Sequence, residues 1–271
     1  TARISQLPNS PSGLSWSPDG KYIAFSMFVN GSELSLVKPH KKPKGAKWAA
    51  APRVTSRLKH EADGSGYMKP GYSHFFVIPS DGGTARQVTS GNFHHKGRPI
   101  WSKNNEQLFF STNRRENWEY NFRNSEIYSV DINTGKIKEL TNRKGPDRSI
   151  AISPNGEKLA YLGYDDKVQT YQITRLYTMN LDGSGQKEID TKLDRSISNP
   201  VWSSDGKGLY FSYDDKGNTK IGYVDLAGKT TLVANNLGGT GIGRPYGGGS
   251  FSVAKNGTIV YTHTTPYHPS E

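Results

Sequence analysis

Apolar residues in this chain fall into triplets such as Ile23-Ala24-Phe25, Leu159-Ala160-Tyr161 and Leu209-Tyr210-Phe211, each following a polar turn that often ends in glycine. A short strand-like stretch comes before each turn. The resulting unit occurs five times: GLSWSPDGKYIAFS from Gly13, RPIWSKNNEQLFFS from Arg98, SIAISPNGEKLAYL from Ser149, NPVWSSDGKGLYFS from Asn199 and GSFSVAKNGTIVYT from Gly249. Ser17, Ser102, Ser153, Ser203 and Ala254 take equivalent places, so the spacing is 85 residues and then 51, 50 and 51. A period near fifty residues built from strands and turns predicts the blades of a β-propeller.

A second strand pair follows in each full unit: FFVIPSDGGTARQVTS from Phe75, IYSVDINTGKIKELTN from Ile127, LYTMNLDGSGQKEIDT from Leu176 and IGYVDLAGKTTLVANN from Ile221. Glycine in the turns tolerates the positive φ that hairpins require. The fold class is therefore all-β, with four antiparallel strands per blade. The triplet strands are apolar on both faces because neighbouring blades cover both. Blade limits fall at about 13–91, 98–142, 149–192, 199–236 and an incomplete 249–265, with 1–8 as the outer strand of a preceding or closing blade. The extra length of the first blade lies at 28–74, a basic insertion expected to project from one face and to hold a short helix near Trp48. The Thr1 start and the TTPYHPSE end read as cuts in a longer chain.

Composition narrows the class. With 33% hydrophobic and 11% aromatic residues the 271-residue chain can bury a core, and 30 Gly with 15 Pro suit many tight turns. Zero cysteines exclude disulfides, thiolate metal sites and a cysteine nucleophile. No apolar run approaches the ~18 residues of a membrane span. The formal charge of +11 raises the question of nucleic acid, but the runs Lys38–Lys47 and Asn113-Arg114-Arg115 are not interleaved with aromatics and read as solvated surface, so no nucleic-acid partner is expected.

Catalytic patterns are missing. The chain holds no G-x-S-x-G, H-E-x-x-H, P-loop or dinucleotide fingerprint. His94 and His95 point to opposite sides if extended and have no nearby carboxylate, so neither a metal nor any cofactor is expected. Asp165-Asp166 and Asp214-Asp215 read as solvated hairpins rather than Ca²⁺ loops, and the sequons at Asn30 and Asn256 as Asn-Gly turns. Trp16, Trp101 and Trp202 share one repeat position and read as blade core.

The S-P-D-G turns with their apolar triplets, the segment LKHEADGSGY ahead of FFVIPSDGGTARQVTSG, and RPYGGGSFSVAKNGTIVYTHTTPYHPSE together resemble the N-terminal propeller of the prolyl oligopeptidase family of serine peptidases, in its acylaminoacyl-peptidase-like and dipeptidyl-peptidase-like branch. The S-P-D-G repeat alone is shared with the Tol-system propeller proteins. The resemblance implies a parent polypeptide with an α/β-hydrolase domain that carries Ser, Asp and His, none of which can be carried over to this chain. It implies a larger propeller of about seven blades, of which this chain is an incomplete part, that gates access of peptide substrates to that domain, its partner. Under this resemblance the substrate contacts are placed on Arg98, Arg148 and Arg244, each at the mouth of an inner strand where a guanidinium fork can receive a peptide carboxylate; the competing reading pairs them with acids of adjacent blades. The alternative function is a stand-alone Tol-like interaction platform with the basic insertion as docking element. A periplasmic or secreted location is favoured over a cytoplasmic one.

Overall fold

A computed structural model describes residues 4–32, 40–49, 53–239, 249–264 and 267. Four four-stranded antiparallel sheets follow one another along the chain. They comprise Pro11–Trp16, Tyr22–Asn30, Gly71–Pro79 and Arg86–Gln87; Ile100–Trp101, Gln107–Thr112, Glu126–Asp131 and Ile137–Glu139; Asp147–Ile152, Lys158–Gly163, Arg175–Asn180 and Lys187–Ile189; and Ile197–Trp202, Gly208–Asp215, Asn218–Asp225 and Thr230–Leu237. A two-stranded fifth sheet pairs Phe251–Val253 with Ile259–Tyr261. First strands of neighbouring sheets touch one another, so these strands converge and the sheets radiate as blades. The all-β blade architecture read from the repeat is the one observed.

Alternation along the triplet strands explains the packing. Ala24 faces the second blade and meets Trp101, Leu108 and Phe110, while Phe109 turns the other way to join Leu159, Tyr161 and Met179 of the third. Ala160 and Leu162 in turn meet Trp202, Leu209 and Phe211 of the fourth. Period-two alternation thus feeds two interfaces from each strand, which is why these strands carry no polar face.

Serine and Asp or Asn build each turn between the first and second strands. Ser17 Oγ donates to Asp19 Oδ1 at 2.6 Å and accepts from the Tyr22 N–H at 2.9 Å. Ser102, Ser153 and Ser203 repeat both contacts.

The recurring tryptophan is more than filler. Trp101 Nε1 donates to the Ser15 carbonyl at 3.0 Å, and Trp202 Nε1 donates to the Ala151 carbonyl at 3.1 Å. Each indole reaches back to the first strand of the preceding blade. Trp101 and Trp202 are 4% and 7% exposed, whereas Trp16 is 59% exposed. The expectation that all three are core therefore fails for Trp16, because no blade among the described residues precedes the first. Its cross-strand partner Ile23, with Phe25 on the same face, packs with Leu7 instead.

A second recurring device is a bulge in the first strand, between Ser12 and Ser15, Arg148 and Ala151, and Ser198 and Val201. Gly13, Ser149 and Asn199 occupy it with φ of +62°, +56° and +52°. At Gly13 a Cβ would stand 2.2 Å from the Gly97 carbonyl oxygen, so the neighbouring blade excludes any side chain there.

The insertion is shorter than its sequence limits. Phe28, Val29 and Asn30 continue the second strand and pair with Ser73, Tyr72 and Gly71, leaving 31–70 as the connection. The helix expected near Trp48 is absent among the described residues, where Pro43 and Gly45 support only a single turn. A small hairpin, Glu61–Ala62 with Gly66–Tyr67, stands in its place further on. Asn30-Gly31 sits at the base of the insertion and not in a hairpin turn, whereas Asn256-Gly257 is a turn, with Gly257 at φ +85°.

Replacing Trp101 with Phe, which removes the indole hydrogen bond at a buried junction, lowers unfolding free energy by about 1–2 kcal/mol, while Trp16→Phe stays within about 0.5 kcal/mol. Gly13→Ala costs about 2 kcal/mol or more through its φ and the Gly97 clash. Urea unfolding curves of the three variants check the order; equal effects of the two tryptophan substitutions would show that the junction contact carries no weight.

Candidate functional site

Strand alternation sorts the connections onto two faces. Turns between first and second strands and between third and fourth strands lie on one face, with Lys21, Lys103, Lys136, Lys207 and Lys229. The opposite face gathers the longer connections between second and third strands and those from blade to blade. Every described arginine except Arg86 lies in or beside this second set. All cation–π pairs among the described residues lie there too, including Arg143 with its guanidinium 3.9 Å from the Tyr177 ring centre.

Arg98 stands in the connection that enters the second blade and is exposed. Arg148 is the second residue of the third blade's first strand, paired with Leu162 immediately before the bulge, and is exposed as well. Neither forms an ion pair with a described carboxylate, so the reading that neutralises them against acids of adjacent blades is not what is seen. The two occupy corresponding ends of neighbouring first strands. Arg244 lies outside the described residues.

Two buried polar clusters support this face, and sequence reasoning did not single out their carboxylates. Between the first two blades, Arg114 Nη1 lies 2.7 Å from His95 Nε2, and His95 Nδ1 lies 3.2 Å from His74 Nδ1. Arginine can only donate, so His95 Nε2 accepts, its Nδ1 carries the proton, and His74 Nδ1 accepts in turn. Burial, with Arg114 beside it, pushes His95 down to about 3; burial with Lys96 and Arg57 nearby pushes His94 down to about 4. His94 packs separately against Tyr72 and Trp118. The described residues contain no group of three or more potential metal ligands.

Between the second and third blades, Glu126 and Asp147 are both fully buried. Thr141 Oγ1 donates to Glu126 Oε2 at 2.7 Å, and Arg115 Nη2 reaches Glu126 Oε1 at 3.3 Å and Glu139 Oε1 at 2.9 Å. Arg143 Nε lies 3.0 Å from one Asp147 oxygen and 3.2 Å from the other. Burial raises Asp147 to about 7 against the pull of Arg143, with the Glu126 charge adding to the rise. The one hint in the sequence is that Glu126 and Asp147 each stand at the first position of a strand, a weak signal.

Asp214 and Asp215 do lie in a hairpin, paired with Thr219 and Asn218 around Lys216-Gly217, both of positive φ. Asp165 and Asp166 do not; Asp166 instead accepts from the Val168 N–H and Gln172 Nε2 within an open connection. Between the fourth and fifth blades a cleft of about 490 Å³ is lined by Tyr210, Tyr223, Val233, Val253 and Ile259. Val253 stands where the first, second and fourth blades place Trp and the third places Ile152.

The geometry defines a β-propeller portion whose arginine-rich face carries the long connections. The family model for the acylaminoacyl-peptidase N-terminal β-propeller domain matches residues 41–189, more than half of the chain, and the chain belongs to that family. Dipeptidyl-peptidase 5 of Porphyromonas gingivalis is 34% identical over 96 residues, covering 34% of this chain and 14% of that protein. The acylaminoacyl peptidase of Pyrococcus horikoshii shares the fold over 99% of this chain and 37% of its own, with a TM-score of 0.66 at 17% identity. TolB of Acinetobacter baumannii shares it over 97% of this chain and 51% of its own, with a TM-score of 0.58 at 18% identity. The chain thus spans well under two thirds of each of these proteins.

Acid titration separates the two clusters. A histidine held below its ordinary 6.5 leaves the unfolded state binding more protons, so its stabilisation fades as pH falls from about 6.5 towards the folded value. A carboxyl raised to about 7 acts oppositely, adding stability as pH falls from 7 towards 3.8. Between pH 7 and 4, His95→Gln therefore flattens the acid loss of stability and Asp147→Asn steepens it, each by on the order of 1–3 kcal/mol. Urea melts at several pH values measure both slopes; a steeper loss in the His95 variant would refute the neutral buried imidazole.

Proposed function

We propose that this chain is the non-catalytic propeller portion of a prolyl oligopeptidase family serine peptidase, gating the access of peptides to a hydrolase domain of the same polypeptide. Membership of the acylaminoacyl-peptidase propeller family carries this reading. Arg98 and Arg148 support it, as exposed and unpaired guanidinium groups at the ends of adjacent first strands, where a planar fork can take up a peptide α-carboxylate. Arg244 is proposed as the third such group. Peptides are the substrates of this assembly and the hydrolase domain is its partner. We place it in the periplasm or outside the cell.

A second reading, a stand-alone interaction platform in the manner of TolB, draws on the fold shared with that protein. The length of the encoded polypeptide distinguishes them: about 250 further residues with a G-x-S-x-G elbow accompany the first reading, and one more blade the second.

The 271-residue chain alone hydrolyses no chromogenic aminoacyl substrate above buffer, and turnover by it would overturn the reading. In the polypeptide that includes the hydrolase domain, Arg98→Ala with Arg148→Ala raises KM about tenfold for peptides with a free α-carboxylate and leaves their C-terminally amidated forms unchanged. Equal effects on both peptide forms would remove the arginines from substrate binding.

A further inference from the structure

Positive charge is concentrated where no described carboxylate pairs with it. From Lys41 to Lys96, leaving out Asp81 and Arg86 at the turn on the opposite face, nine Lys and Arg accompany two carboxylates, Glu61 and Asp63, an excess of seven in a chain whose net charge is +11. Ion pairs among the described residues fall in the second to fourth blades, apart from the local Lys21–Asp19 pair. None involves a cation between Lys41 and Arg98. The cations are also crowded: Lys59 and burial push Lys96 down, and Arg57, Lys59 and Lys96 all act on His94. A set of like charges held together without counterions is costly for the free protein and is relieved when an anion binds.

Geometry narrows the anion. The Arg57 guanidinium lies 4.3 Å from the Tyr72 ring centre, and Arg53 lies 4.8 Å from that of Tyr67. Stacking orients each guanidinium and leaves its in-plane N–H groups free for a forked acceptor. The same stacking occupies the rings that a nucleic-acid base would need. Among the described residues of the insertion, no helix or long strand presents a continuous apolar face to a bilayer. Leu58 and Trp48 are isolated exposed apolar side chains, 56% and 51% accessible, suited to side chains spaced between carboxylates.

We propose that the insertion of the first blade, around Arg53, Arg57, Lys59 and Lys96, is a docking surface for a carboxylate-rich polypeptide segment, separate from the channel-mouth arginines of the proposed peptidase role. The positive charge steers the segment in, and the stacked guanidiniums fix its carboxylates.

A fluorescein-labelled deca-glutamate peptide tests this by anisotropy at low and at physiological salt. Saturable binding that weakens with salt is expected, with Arg57→Gln/Lys59→Gln reducing affinity at least about tenfold and the charge-matched Lys136→Gln/Lys229→Gln, on the other face, changing it less than about twofold. Lys41→Gln/Lys42→Gln, both fully solvated positions, gives an independent loss of several-fold should the first variant fold poorly. Absent binding at low salt, or equal losses in the two charge-matched variants, overturns the proposal. So does tighter binding of a twenty-nucleotide oligothymidylate or of phosphatidylglycerol vesicles, which would reassign the surface to nucleic acid or membrane.

Discussion

Each blade can bury its two apolar faces only against other blades, and this mutual dependence governs the molecule. Phe109 and Leu108 are neighbours in sequence yet serve different junctions, so a one-residue slip of register would expose both sets together. The indole hydrogen bonds of Trp101 and Trp202 fix their two junctions in register, because each ties a side chain of one blade to the backbone of the blade before it. A bulge beside these contacts lets first strands crowd around the axis. The long connections, freed from packing, then carry the arginines.

Blade repeats were legible because their signal is short-range. Triplet, turn and serine recur with a fixed period, and the physical causes, burial on both faces and Asx-type capping, act within one unit. Trp16 shows where local reading ended: its position matched Trp101 and Trp202, but its burial depended on a blade that its own unit does not contain. The insertion was read at the right place and with too generous limits, since nothing in Phe28–Asn30 announces that Gly71–Ser73 will pair with it across forty residues of connection.

The site was less legible than the fold. Arg98 lies just ahead of one first strand and Arg148 within the start of the next, positions the repeat makes readable, whereas the buried carboxylates Glu126 and Asp147 are invisible in sequence, since burial by neighbouring blades is a tertiary property. Asp165-Asp166 and Asp214-Asp215 look alike in sequence and differ in structure because only the latter is followed by Lys216-Gly217, which accepts the left-handed turn. Net charge misled in a similar way. Summed over the chain it suggests an evenly solvated surface, whereas nine cations between Lys41 and Lys96 share their face with only two carboxylates.

The backward reach of the indole gives the array a direction. The first-to-second and third-to-fourth junctions join unlike surfaces, a tryptophan side and a carbonyl side, so the two flanks of these blades are as different as plug and socket. Association through them is head-to-tail, which ends either in closure on itself or in an open chain, and a two-fold symmetric pairing of like flanks leaves both indoles without acceptors. Trp16 is the plug left uncovered among the described residues, on the flank of the first blade that faces away from the second.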